Sequence, residues 1–323
     1  MAKTIYVTRK IPDVGLSMLR ERGFELDVSP EDRPLQKQEL IAALKKKAYE
    51  GVLCLLTDTI DKEVFDAAPN SKIFANYAVG FNNIDVAEAK KRGIVVTNTP
   101  GASTESVAEF TLGLILNIAR RINEGDRFMR AGKFKGWGPP LIGRDICGLT
   151  LGIIGTGRIG AAVAKKALRG FEMNVLYYDV VRNELLEREY GARFEPAIEA
   201  VFRAADVISV HVSLMDSTRH LVNAERLAHM KKTAYLVNTS RGAVVDEVAL
   251  VRALREGTIA GAALDVFENE PTLADGLADL ENVVLTPHIA AGTEVARDGM
   301  AKLAAENLIA FFDGAPPPNA VSS

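Results

Sequence analysis

Three segments in the second half of the chain carry the side chains best suited to chemistry. They are Asn238-Thr-Ser-Arg241-Gly242, Asp265-Val-Phe-Glu-Asn-Glu270-Pro271 and Thr286-Pro287-His288. Arg241 offers a planar guanidinium that can grip a carboxylate with two parallel hydrogen bonds and polarise a carbonyl beside it. His288 offers an imidazole able to give or take a proton near neutral pH. Glu270 beside that imidazole would favour its charged form and fix its orientation. The three types together suit hydride transfer to a 2-keto acid, with a nicotinamide carrying the hydride. Singly, each has a plain structural reading: a capping or ion-pairing arginine, a solvated loop acid, a satisfied turn histidine.

A fourth segment supplies the place for a dinucleotide. Thr150–Ile154 runs into Gly155-Thr156-Gly157-Arg158-Ile159-Gly160, and Ala161–Ala167 then reads as a helix. Gly155 permits the tight turn, Gly157 lets a pyrophosphate approach the backbone, and Gly160 lets helix and strand pack closely. The helix start offers unpaired N–H groups to phosphate. Asp179 ends the next apolar run, 19 residues after Gly160, where a ribose-binding acid is expected. A carboxylate there accepts from both ribose hydroxyls and repels a 2′-phosphate, which favours NAD over NADP. Arg182, three residues on, works against that preference. His211 ends a later run and reads as a cofactor-side or packing residue rather than an acid.

The elements that must position these groups are visible as short apolar runs. Ile5–Thr8, Phe24–Val28, Val52–Leu56, Ile73–Asn76 and Ile94–Thr97 alternate with charged helical patterns at Gln36–Lys47, Lys62–Ala67 and Val86–Arg92. A second series holds Leu151–Ile154, Asn174–Tyr178, Val207–Val210, Ala234–Val237, Ala260–Leu264 and Val283–Leu285. Helical patterns at Arg158–Arg169, Arg182–Tyr190 and Asp246–Arg255 separate them, and a last helix covers about Thr293–Phe312. Both series predict α/β units with parallel sheets. The polar segments follow the carboxyl ends of strands, where open α/β sheets place ligands. Between the series, Glu105–Ile118 turns apolar groups in nearly every direction and predicts a helix wedged between domains or subunits.

Composition bounds the reading. The 323 residues suggest about two domains. The formal charge of −3 leaves no basic surplus for nucleic acid or anionic membrane. No uncharged run exceeds twelve residues, short of the roughly twenty that a membrane-spanning helix needs. MAKTIYVTRK has no apolar leader core, and Cys54 and Cys147 match no metal spacing. A cytoplasmic protein without a metal is expected.

With these motifs in order, the chain resembles the D-isomer-specific 2-hydroxyacid dehydrogenases. The segments that carry the likeness are GTGRIG at Gly155–Gly160, NTSRGAVVD at Asn238–Asp246, DVFENEP at Asp265–Pro271 and TPHI at Thr286–Ile289. NYAVGFNNID at Asn76–Asp85 and VTNTPGASTESVAEF at Val96–Phe110 are most similar to the glyoxylate/hydroxypyruvate reductase branch. The resemblance implies two Rossmann-like or flavodoxin-like domains. The substrate domain would be discontinuous, about residues 1–100 with 291–323, and residues 101–290 would bind NAD. It implies Arg241, Glu270 and His288 as catalytic, and Val79 and Gly80 as backbone donors to the substrate carboxylate. Thr104, Arg158, Ile159, Asp179, the Thr239–Ser240–Arg241 backbone and Asp265 would touch cofactor. It further implies a homodimer, with Trp137 as a candidate to reach a neighbouring subunit's pocket. Phosphite oxidation, in a neighbouring branch, uses a lysine where Val79 stands. Other D-2-hydroxy acids, or an NAD(H)-sensing interaction protein, are the remaining alternatives.

Overall fold

A computed structural model describes residues 2–138 and 140–321. The chain divides into two compact units, Met1–Ser103 with Gly292–Ser323, and Thr104–Ala291.

The first unit is a five-stranded sheet in the order β2-β1-β3-β4-β5: β1 Thr4–Val7, β2 Glu25–Val28, β3 Gly51–Leu55, β4 Ile73–Tyr77 and β5 Val95–Thr97. Every pairing is parallel, and the order is the flavodoxin-like one. Strands covered by helices on both faces have no wet side, which is why β4 (Ile-Phe-Ala-Asn-Tyr) is buried throughout. The linking helices are α1 Asp13–Glu21, α2 Lys37–Leu44, α3 Lys62–Ala67 and α4 Val86–Lys91. Asp61 and Asp85 cap α3 and α4 by accepting first-turn N–H groups.

The C-terminal helix, Glu294–Phe312, returns to this unit and explains its discontinuity. It packs so tightly on α1 that a Cβ at Gly15 would lie 2.5 Å from the Ala301 carbonyl oxygen. The Tyr77 hydroxyl donates to the Arg297 carbonyl at 2.8 Å, and the buried Asn307 amide donates to the Asn98 carbonyl at 3.1 Å.

The second unit is a seven-stranded parallel sheet. Its strands are β6 Thr150–Ile154, β7 Asn174–Tyr178, β8 Arg193–Phe194, β9 Val207–Val210, β10 Tyr235–Asn238, β11 Gly261–Leu264 and β12 Val283–Leu285. Their spatial order, β12-β11-β10-β9-β6-β7-β8, reverses direction between β6 and β9. This is the doubly wound arrangement, whose ligand crevice opens at the carboxyl ends beside the reversal. The helices are α5 Thr104–Arg120, α6 Ile122–Arg130, α7 Arg158–Phe171, α8 Glu184–Tyr190, α9 Ile198–Ala204, α10 Ala224–His229 and α11 Glu247–Arg255. One core cluster gathers Ile154, Phe202, Leu236 and Leu250, and a second gathers Ile115, Leu151, Val163 and Tyr177.

The apolar helix predicted at Glu105–Ile118 forms as α5 and packs on α7 and β10–β12. It is not enclosed on every side within its own unit. Glu105, Glu109, Gly113 and Arg120 form an exposed stripe, and Phe110 and Leu116 beside it are half-buried. The helix predicted from Arg182 instead starts at Glu184. Asn183 caps it by accepting the Leu186 N–H, which leaves Arg182 in the turn. No helix among the described residues is long and apolar enough to cross a membrane.

Candidate active site

The dinucleotide cradle forms where the strand order reverses. Gly155 leaves β6 with φ +93°, a left-handed conformation open to glycine at little cost. A Cβ at Gly160 would sit 2.0 Å from the Gly155 carbonyl oxygen, so α7 can approach β6 only with glycine there. A Cβ at Gly157 would meet nothing, because Gly157, the N-cap of the 14-residue α7, faces open space together with Arg158. That open helix start, walled by glycine backbone, fits a pyrophosphate. Ile159 is half-buried in the first turn.

At the end of β7, Asp179 Oδ2 accepts the Thr156 N–H at 2.6 Å and the Thr156 hydroxyl at 3.1 Å. The carboxylate is thereby oriented on the glycine turn while remaining partly exposed, as a ribose acceptor must be. His211 follows β9, on the other side of the reversal. Its Nε2 lies 2.8 Å from the Ser209 hydroxyl, and burial pushes its pKa down to about 3. The residue packs against the fingerprint turn, with its backbone beside Gly155 and its Cβ beside Gly160.

The candidate catalytic groups arise from three neighbouring strands held level. The register pairs Asn238 with Leu264, and Leu264 with Leu285. Loops leaving β10, β11 and β12 therefore start side by side. Arg241 is three residues beyond its strand, Glu270 six, and His288 three. Buried Asn238 shapes the first loop: its Oδ1 accepts the Ser240 N–H and hydroxyl, and its Nδ2 donates to the Arg241 carbonyl. The Thr239 hydroxyl pairs with that of Thr111 on α5 at 2.9 Å, and Thr104 opens that helix. Gly242 then passes so close to the β11 loop that a Cβ would lie 1.8 Å from the Phe267 carbonyl carbon.

The second loop folds back on itself. Glu270 Oε1 accepts the Phe267 N–H at 3.0 Å, and Oε2 lies 2.9 Å from His288 Nδ1. Burial pushes the Glu270 carboxyl up, yet the His288 hydrogen bond and charge, the Phe267 N–H and the Arg241 charge outweigh it and hold the pKa below its usual value. The same Glu270 charge acts back on Arg241, whose pKa is lowered by burial. A guanidinium stays protonated even so. With Nδ1 engaged, the imidazole keeps Nε2 for other work. The side chains of His288 and Glu270 are 26% and 34% exposed, so the pair is reachable from solvent.

Two supports carry the third loop and the second. The fully buried Asp265 carboxylate accepts from the Thr286 hydroxyl at 2.6 Å and from the N–H groups of Ile289 and Ala290 at 2.9 and 2.8 Å. It thus grips the chain on both sides of His288, whose own backbone is left-handed at φ +55°. This gripping role was not among the sequence expectations for Asp265. Glu247, at the start of α11, accepts the Glu268 N–H at 2.7 Å from a buried position. Burial raises its pKa. No sequence signal marks Glu247, since a first-turn glutamate after an Asp cap is ordinary on exposed helices.

Val79 and Gly80 follow β4 in the first unit. The Ala78 carbonyl accepts the Thr99 N–H at 2.9 Å, and the Val79 carbonyl accepts from Asn98 Nδ2 at 2.7 Å. Carbonyl and following N–H point opposite ways across a trans peptide. Both N–H groups, of Val79 and of Gly80, are thus turned away from the Asn98–Thr99 segment.

Residues 112–290 match the family model described as D-isomer specific 2-hydroxyacid dehydrogenase, NAD binding domain. A glyoxylate reductase from Korarchaeum cryptofilum is 51% identical over 325 residues, spanning 100% of this chain and 96% of that protein. A crystal structure of a protein from Thermus thermophilus superposes with a TM-score of 0.91 at 44% identity, covering 99% and 100% of the two chains. An NADPH-dependent glyoxylate/hydroxypyruvate reductase from Sinorhizobium meliloti, solved with NADP and malonate, gives a TM-score of 0.87 at 35% identity, covering 100% and 97%. The chain belongs to the D-isomer-specific 2-hydroxyacid dehydrogenase family, an enzyme family of NAD-binding oxidoreductases.

Proposed function

We propose that this enzyme reduces small 2-keto acids, glyoxylate and hydroxypyruvate first, to 2-hydroxy acids, with NADH preferred to NADPH. The observation that carries the reading is the Glu270–His288 pair, 2.9 Å apart, under the charge of Arg241 at the level ends of β10–β12. Arg241 binds the substrate carboxylate and draws electron density from the adjacent carbonyl. His288, held through Nδ1, gives its proton from Nε2 to the carbonyl oxygen and recovers it in the reverse direction. Glu270 keeps the imidazole in the orientation and tautomer this requires. Bound nicotinamide supplies the hydride. The backbone N–H groups of Val79 and Gly80 are proposed as further donors to a carboxylate.

For the cofactor, the Gly155–Gly160 turn and the start of α7, with Arg158 and Ile159, would hold the pyrophosphate. Asp179 would hold the ribose, and Thr104, Thr239, Ser240, Asp265 and His211 would line the remaining wall. The name of the Korarchaeum relative supports glyoxylate as substrate. A homodimer is part of the proposal. Ile122 and Met129 on α6, with Phe134, Trp137 and Ile142 beyond it, are all exposed, Trp137 almost completely at 99%. A row of large apolar groups in water fits a surface covered by a second copy. Sedimentation velocity would test that assembly.

The activity test is the loss of NADH absorbance with a panel of 2-keto acids, with NADPH in parallel. Turnover on glyoxylate or hydroxypyruvate that drops in Arg241→Ala is the expected result. Tight NADH binding with no turnover on any member overturns it.

A further inference from the structure

The β7–α8 turn carries an arginine three residues beyond Asp179, in the right place to meet a 2′-phosphate, in a chain whose acid there should reject one. The structure shows what occupies it. Arg182 Nε donates to Glu187 Oε1 at 2.7 Å and Nη2 donates to Oε2 at 2.5 Å, a two-toothed pair across five residues. The guanidinium also lies over the Phe194 ring, 5.7 Å from its centroid. Glu187 is itself fixed, because the Tyr177 hydroxyl donates to Oε1 at 2.6 Å. That hydroxyl in turn accepts the Asn183 N–H at 2.8 Å, and Asn183 Nδ2 donates to the Thr156 carbonyl at 3.1 Å. The network ends on the same Thr156 that orients Asp179.

We infer that Glu187 is a specificity-determining positioning residue, which keeps Arg182 from pairing with the 2′-phosphate of NADPH and so lets Asp179 set the preference for NADH. Planar, two-toothed pairing uses the same guanidinium edge that a phosphate would take. Glu187 competes in every assay, since the Arg182 hydrogen bond and that of Tyr177 hold its carboxyl down to about 2. The Arg182 side chain is 58% exposed and Glu187 20%, so the pair is a modest clamp that a strong anion can contest. The inference rests on the ribose reading of Asp179.

The test uses the full-length protein and calorimetric binding of 2′,5′-adenosine bisphosphate and of 5′-AMP, which isolate the adenosine end. Glu187→Gln leaves Tyr177 a neutral acceptor and removes the charge that holds Arg182. It should shift the ratio of the two dissociation constants about fivefold toward the bisphosphate. Glu187→Ala, as a second variant, should shift it the same way. Arg182→Ala alone should leave the ratio within about twofold of the parent, because that arginine is already taken. The double variant Glu187→Gln/Arg182→Ala should return to the parent ratio. An unchanged ratio in both Glu187 variants overturns the inference. So does a shift that survives in the double variant, since simple loss of negative charge would then explain it. Asp179→Asn separates the two readings. If it relaxes discrimination while the Glu187 variants do not, only the clamp falls; if it does nothing, the ribose assignment itself fails.

Discussion

Asp265 Oδ2 accepts the backbone N–H of Ala290 at 2.8 Å, while its Oδ1 accepts that of Ile289. One buried carboxylate at the end of β11 therefore sets the path of the chain that leaves β12 with His288. A side chain expected only to touch cofactor acts as the anchor of the loop that carries His288.

Replacing that anchor should misplace the imidazole. Asp265→Asn presents one acceptor and one donor end to two N–H groups, so one of them faces an NH2. Leaving a buried donor unmet costs about 1–3 kcal/mol. The variant should lose about tenfold or more in kcat with a lowered melting temperature. Amide exchange at Ile289 and Ala290 should speed up, and unchanged exchange would remove the anchoring role.

Glu270 gives the pH prediction. Its pKa is lowered in the folded state, so the stability it contributes is present above the unfolded value of about 4.3 and is lost as pH falls through the folded value. The melting-temperature advantage of the parent over Glu270→Gln should shrink as pH falls below about 4.3. An advantage that still grows below about pH 4.3 would contradict the sign.

Arg241→Lys keeps a charge but not the planar fork. It should raise KM for the keto acid by about tenfold or more and lower kcat, with Arg241→Ala worse in both. Dissociation of NADH, measured directly, should move far less. A variant defective chiefly in NADH binding would reassign the residue to the cofactor.

Asp179→Ala should narrow the gap between NADH and NADPH by weakening NADH more than NADPH, about tenfold in the ratio of kcat/KM. Thr156 loses its acceptor in this variant, so melting temperature should be followed alongside. A ratio within twofold of the parent would count against the ribose assignment.

Most strands of both units were legible because a buried parallel strand is a largely apolar run, as at Val207–Val210 or Ile73–Tyr77, each broken by a single polar residue. Several elements escaped: β8, with two residues, is too short for a pattern to show, and α1, α6, α9 and α10 were not picked out. At the site, residue type and position after a strand singled out Arg241, Glu270 and His288. The structure pairs Glu270 with His288 and places Arg241 on the neighbouring strand's loop, while Val79 and Gly80 lie in the other unit. Asn238, Glu247 and Glu187 were not legible as supports. Their value lies in partners that the fold brings near, such as Glu268 for Glu247, 21 residues away. No local spacing encodes that meeting.

Gly242 has a consequence for redesign. With no room for even a methyl group between it and the Phe267 carbonyl, the seam joining the arginine loop to the glutamate loop is closed to side-chain variation. Libraries aimed at bulkier or longer acids gain nothing by opening that seam, because widening it would pull the guanidinium away from the carboxylate that tunes it. New substrate scope has to be sought at positions that leave this backbone contact whole.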